Sequence, residues 1–214
     1  MINKIVHFSD LHIRLFKDHE LYKKILEQAL HEWRAIKPDR IVFTGDLVHS
    51  KNQMTPELVE FVAWVLSECA KIAKTVLIIG NHDFLENNSS RLDALTPVIE
   101  SLKNENIVYY KDRGVYEDEN INWCVFSLME HNIPPQIVKS ENKNIGLFHG
   151  PIQGLTTDLG YKFGEDAYDI TKFNGTEIVL CGDIHKRQIL YTESVIEVDE
   201  SKVEDYIKKG WEKV

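Results

Sequence analysis

Five apolar runs in this chain end in residues able to do chemistry: Asp10 and His12 in "HFSDLH", Asp46 and His49 in "VFTGDLVH", Asn81 and His82 in "LIIGNHD", His149 in "LFHG", and Asp183 and His185 in "LCGDIH". Carboxylates, imidazoles and one amide carbonyl, with no thiolate, make a hard-to-borderline ligand set. Such a set suits Mn²⁺, Mg²⁺, Fe²⁺ or Zn²⁺ rather than copper(I) or an iron–sulfur cluster. The seven candidate ligands Asp10, His12, Asp46, Asn81, His149, Asp183 and His185 exceed what one cation needs. A shared carboxylate would let two ions sit about 3.5–4 Å apart. "GNHD" is the most specific of these stretches, because a turn after a buried strand rarely needs the three consecutive polar residues Asn81, His82 and Asp83.

To bring these groups together, the runs must be neighbouring strands, since ligands of α/β sheets gather beyond the carboxyl ends of the strands. Residues 4–10, 40–46 and 75–80 read as strands. Between them lie helical patterns at 19–37, with Leu21, Ile25, Leu26, Leu30 and Trp33 on one face, and at 55–73, with Thr55 as the cap and Pro56 in the first turn. A third helix is expected over 89–103 despite Pro97. This alternation predicts parallel strands with helices packed outside. In the second half, "IVYY", "GVYE" and "INWCVFSL" read as an antiparallel meander. Residues 144–150 and 176–184 are again buried strands, and 195–214 should form a strand and a charged amphipathic helix. Period two would place Asp10 with His12, and Asp183 with His185, on one side of a strand. Glycines before Asp46, Asn81 and Asp183 remove a side chain where backbone and ligand come close.

The chain of 214 residues has the length of one domain with a sizeable core, spanning 1–214. No apolar run approaches the roughly 20 residues of a membrane helix, and "MINKIVHFSD" reads as a strand rather than a secretion signal. Cys69, Cys124 and Cys181 are odd in number and widely spaced, as expected of buried thiols in a reducing cytoplasm. A net charge of −9 gives no general attraction for nucleic acid, so any such binding must rest on local positive charge, bound metal or a partner.

Taken in order, these stretches resemble the calcineurin-like metallophosphoesterases, whose pattern runs D-x-H, G-D, G-N-H-D/E, H, then G-H-x-H, over residues 5 to 188. The resemblance implies an α/β fold in which two mixed β-sheets are sandwiched between helices in four layers. It also implies two metals at the strand ends. Asp10, His12 and His185 would hold the first ion, Asn81 and His149 the second, and Asp46 would bridge. His82 falls at the family's non-ligand catalytic histidine, with Asp83 orienting it or capping the following segment. His49 falls where double-strand-break repair nucleases have a second substrate-facing histidine. "GLFHGPIQG" and "GDIHKRQ" look like SbcD-type nuclease subunits of phage-like and archaeal-like kind, with Lys186 and Arg187 placed to touch a phosphate backbone.

Two departures stand out. Asp183 replaces a histidine ligand, which would harden the site towards Mn²⁺ or Mg²⁺. The sequence ends at Val214 without the capping domain and ATPase-binding segment of SbcD-type subunits. The resemblance thus implies metal-dependent phosphodiester hydrolysis, chiefly of DNA, with two divalent ions and Mn²⁺ foremost. The partners implied are DNA, an SMC-like SbcC-type ATPase (against which the ending counts) and a second copy of the chain, in a cytoplasmic protein of cellular or phage-encoded origin. The alternatives are a phosphatase or small-molecule phosphodiesterase, and an interaction scaffold that has lost catalytic power.

Overall fold

The computed structural model describes residues 1–51, 53–85, 91–131 and 133–186, together with the backbone of 189–191 and 194–196. The chain divides into two compact units, Met1–Gly150 with Gly175–Asp183, and Pro151–Asn174 with the chain from Ile184 onward.

The first unit is an α/β fold with two sheets flanked by helices. Its first sheet runs β1 (Ile5–Phe8), β2 (Arg40–Thr44), β3 (Lys74–Ile78), β4 (Ile107–Tyr110), and every pairing is parallel. The crossovers carry helices α1 (His19–Ile36), α2 (Pro56–Ile72) and α3 (Thr96–Leu102). The second sheet runs β5 (Gly114–Asp118), β6 (Ile121–Phe126), β7 (Lys143–His149), β8 (Ile178–Gly182), and it alone is mixed: β5 pairs antiparallel with β6, and the rest are parallel.

Period two along the strands sorts the core. Ile41, Phe43 and Leu77 point to the helices and pack on Leu26, Leu30, Leu58, Val62 and Val65. Val42, Val76 and Ile78 point the other way, onto Trp123, Val125, Ile145 and Leu147 of the second sheet. Strands buried on both faces read as continuous apolar runs, which is why β2 and β3 stood out in the sequence. Each such side chain taken fully from water contributes about 1.5–3 kcal/mol.

The second unit holds an antiparallel pair, β9 (Ile189–Tyr191) and β10 (Ser194–Ile196). It also has a 3₁₀ turn at Ile170–Phe173 and an isolated bridge between Thr156 and Lys162. Of the expected terminal strand and helix, 195–196 fall in β10 and 197–214 lie outside the described residues. Among the described residues no helix is long and apolar enough to cross a membrane.

Three expectations change. "IVYY" is not part of a meander: α3 carries the chain back over the first sheet, and β4 pairs parallel with β3. The helix expected over 89–103 is shorter, because the Asp93 carboxylate accepts from Leu95 N (3.0 Å) and Thr96 N (2.8 Å), fixing the start beside Pro97. On α1 the inward face is Tyr22, Leu26, Leu30 and Trp33, while Leu21 and Ile25 are 58% and 59% exposed. The start of α2 follows its sequence, since Thr55 Oγ1 accepts from Leu58 N at 3.3 Å.

Candidate metal centre

The candidate ligands lie not on the strands but just beyond them, in backbone that turns sharply. Asp10, His12, Asp46 and Asp183 have φ of 58°, 46°, 60° and 83°, left-handed values that cost non-glycine residues energy. The period-two placement of Asp10 with His12 therefore fails: β1 stops at Phe8, and a turn rather than a pleat presents both residues. Asp183 likewise follows the end of β8. The loops stay registered because the β1–β2 pairing continues past the strands. Asp10 N donates to Gly45 O (3.1 Å), His12 N to Asp46 O (2.9 Å) and His49 N to Ile13 O (3.0 Å).

Asp46 sits at the focus, 1% exposed. Its Oδ2 lies 3.5 Å from His12 Nε2 and 3.4 Å from His149 Nε2, while its Oδ1 accepts from His82 N at 2.8 Å. His149 Nδ1 donates to Thr44 O (2.6 Å), a bond that fixes the tautomer and turns the Nε2 lone pair towards Asp46. Two acceptors thus face each other across a buried gap, and among the described residues His149 Nε2 and Asn81 Oδ1 are buried without a hydrogen-bond donor. A cation is what such a gap accommodates. Burial alone would depress the His149 pKa, but the Asp46 carboxylate overrides it and lifts the value to about 9, so without metal a proton takes the cation's place. Within this unit, ligand atoms of Asp10, Asp46 and His149 lie within 4.8 Å of one another, as do those of His12, His49 and His82. The donor types and the orphaned acceptors fit divalent cations.

Asp183 contributes its backbone: its N–H lies 3.0 Å from both Asp10 carboxylate oxygens, and its own carboxylate joins neither of these groups. His185 and Lys186 belong to the second unit, where His185 is exposed and Lys186 Nζ donates to Thr156 Oγ1 at 3.1 Å. Arg187 lies outside the described residues.

The glycines do their work against protein rather than ligand. A Cβ on Gly80 would lie 2.2 Å from Asp46 N and Oδ1, and one on Gly182 2.3 Å from Thr44 O. Their absence of a side chain lets the strand ends converge on Asp46.

Asp83 has a different part from either one expected. It does not touch the His82 ring, whose Nδ1 donates to His49 O at 2.8 Å. Fully buried, its carboxylate accepts from Asp46 N (2.9 Å), Gly80 N (2.9 Å) and Val48 N (3.2 Å), tying the ends of β2 and β3 together. The Gly80 bond is local, but Asp46 N and Val48 N reach Asp83 from the far end of another strand, and no local pattern could reveal those two. Asp83→Ala leaves three buried N–H groups unsatisfied and should cost about 3 kcal/mol or more, read as a shift of the denaturant midpoint. Burial, and then the Asp46 charge, push the Asp83 pKa from 3.8 to about 7. A carboxyl raised on folding stabilises most below its unfolded value, and that contribution fades as pH climbs to the folded one. In metal-free protein the stability gap between parent and Asp83→Ala should therefore narrow between pH 3.8 and about 7.

The loop after His12 brings further groups to this end of the sheet. Arg14, Leu15, Phe16 and Lys17 line a cavity of about 420 Å³ with His49 and Ser50, and Phe16 is 72% exposed. The signal was present as a basic–aromatic–basic "RLFK" directly behind the D-x-H motif.

Comparison with known proteins adds to this geometry. The chain is 34% identical over 206 residues to an uncharacterized protein, R555, of Acanthamoeba polyphaga mimivirus, covering 88% of this chain and 15% of that protein. It thus spans only a small part of that relative's length. Among solved structures, the Pseudomonas putida nuclease MPE aligns with a TM-score of 0.42 at 17% identity, over 75% of this chain and 67% of that one. The family model of the calcineurin-like phosphoesterases matches residues 3–187, and with it the chain belongs to that family.

Proposed function

We propose that this phosphoesterase is a metal-dependent DNA nuclease, an exonuclease or endonuclease of the SbcD recombination-repair type. The observation that carries phosphodiester chemistry is Asp46 Oδ2, held 3.4 and 3.5 Å from two imidazole nitrogens in a buried pocket of acceptors. In this reading Asp10, His12 and, by its sequence position, His185 hold one divalent ion. Asn81 and His149 would hold the other, with Asp46 open to both, while Asp183 steadies Asp10 through its backbone N–H rather than adding a carboxylate. Mn²⁺ is the first choice among Mn²⁺, Mg²⁺, Fe²⁺ and Zn²⁺ for a carboxylate-rich set. The ions' chemistry is Lewis acidity, which lowers the pKa of a water and draws charge from the phosphoryl oxygens.

The chain supplies the rest. His82, its ring anchored through Nδ1 to the His49 carbonyl, offers Nε2 to the leaving oxygen. His49 stacks beside it at 5.5 Å between ring centroids and faces the substrate. The DNA reading is favoured by local charge. Arg14 and Lys17 flank His49 in one cavity, and Lys51 and Arg91 line another of about 450 Å³, in a chain whose net charge is −9. Phe16, exposed between the first pair, gives a base a face to stack on. Lys186 and Arg187 would add phosphate contacts, and an SMC-like ATPase and a second copy of the chain are the protein partners this reading names.

The test is Mn²⁺-supported turnover of duplex and single-stranded DNA against bis-p-nitrophenyl phosphate and nucleotides. DNA should be the better substrate by at least roughly 10²-fold in kcat/KM, with all turnover lost to a chelator. Hydrolysis of the small esters with DNA left intact would overturn the nuclease reading in favour of a small-molecule phosphodiesterase.

A further inference from the structure

We infer that His12, His49 and His82 form a second cation site, built of nitrogen alone, which takes a borderline ion such as Zn²⁺ and draws on the same His12 that faces Asp46. The three residues end different strands but lean together: ring centroids are 4.7 Å (His12–His82), 5.5 Å (His49–His82) and 5.8 Å (His12–His49) apart. Three imidazoles on one tetrahedral zinc, with Zn–N of about 2.0–2.1 Å, would hold their centroids about 5 Å apart. The rings thus stand near that spacing already.

Their backbones are tied in place. His12 N donates to Asp46 O (2.9 Å), His49 N to Ile13 O (3.0 Å) and His82 N to Asp46 Oδ1 (2.8 Å). His82 also carries the mark of a metal-ligating histidine: Nδ1 donates to a backbone carbonyl, that of His49, at 2.8 Å, which leaves Nε2 as the coordinating atom. His49 is exposed, so an ion can reach the cluster from solvent.

Ligand chemistry separates this site from its neighbour. The Asp10, Asp46 and His149 group is mostly carboxylate and suits Mn²⁺ or Mg²⁺, whereas three imidazoles without a carboxylate suit Zn²⁺ or Ni²⁺. His12 stands at the border, its Nε2 3.5 Å from Asp46 Oδ2 and 3.9 Å from Asp10 Oδ1. An ion in the trio occupies His82 Nε2, the nitrogen that faces substrate in the proposed function. Excess zinc would then act as an inhibitor. Only this consequence rests on that reading, and binding itself does not.

The test needs no substrate. Full-length protein first loaded with Mn²⁺ is titrated with Zn²⁺ against a chromophoric chelator, and crystals treated in the same way are measured at the zinc edge. Zinc should appear among His12, His49 and His82, and His49→Gln should weaken that site by roughly 10²-fold or more. His49 lies at the surface, so the variant should fold, and an unchanged melting temperature checks this. Zinc found only around Asp46, or equal zinc affinity in parent and His49→Gln, would overturn the inference. Absence of DNA cleavage would count against the proposed function and leave these readouts as they stand.

Discussion

Asp46→Asn should lower Mn²⁺-supported phosphodiester turnover by roughly 10³-fold or more and leave the purified protein short of bound metal. The two oxygens of Asp46 have different duties. Oδ2 lies between His12 and His149, where it would touch both ions, and Oδ1 accepts the His82 amide at 2.8 Å. An asparagine must put its NH₂ on one side or the other. Towards the histidines it would present a donor to any bound cation, and towards His82 it sets donor against donor and frees the His82 backbone from Asp46. Either way the negative charge between His12 and His149 is gone. The fold itself should survive, because the bond from the residue's own N–H to Asp83 does not depend on the side chain. Metal content by plasma emission, together with turnover at saturating Mn²⁺, checks the prediction. Parental stoichiometry with turnover within tenfold would mean that Asp46 is not the bridge.

The parts of this molecule legible in its sequence are those encoded locally. Parallel strands buried on both faces announce themselves as apolar runs, and their polar terminations stand out by contrast, so Asp10, Asp46, Asn81 and His149 could be picked without coordinates. The Thr55 cap was legible for the same reason, since donor and acceptor are three residues apart. What was not legible depends on distant partners. Asp83 looks like a loop residue until its carboxylate is seen to gather amides from the ends of two strands. The glycines looked like clearance for a ligand, but it is the neighbouring strand that occupies the space. "IVYY" has the same alternation in either sheet, and only the path of α3 decides which one it joins. Leu21 and Ile25 are apolar yet lie outside, because each precedes a residue of the buried stripe Tyr22, Leu26, Leu30 and Trp33 by one position, which turns it about 100° towards solvent. Left-handed turns at Asp10 and His12 cost energy that no propensity scale would propose, and they persist where long-range pairing with the β2 loop enforces them.

His82→Ala should have the opposite profile from Asp46→Asn: metal retained, chemistry lost. Removing the imidazole leaves the His82 N–H in place, and it is this backbone group, not the ring, that holds Asp46 Oδ1. Mn²⁺ stoichiometry should therefore match the parent. The ring's other nitrogen is spent on the His49 carbonyl, so the loss falls on Nε2 and on whatever it does for the reacting phosphate. If that service is protonation of the leaving oxygen, turnover of DNA should fall by about 10²–10⁴-fold, with the loss mainly in kcat. Leaving-group dependence separates this role from a structural one. An alkoxide needs a proton to depart and p-nitrophenolate does not, so bis-p-nitrophenyl phosphate should lose far less activity than DNA in the same variant. A uniform loss on both substrates would instead make His82 a binder of the phosphoryl oxygens, and parental rates on both would remove it from the mechanism.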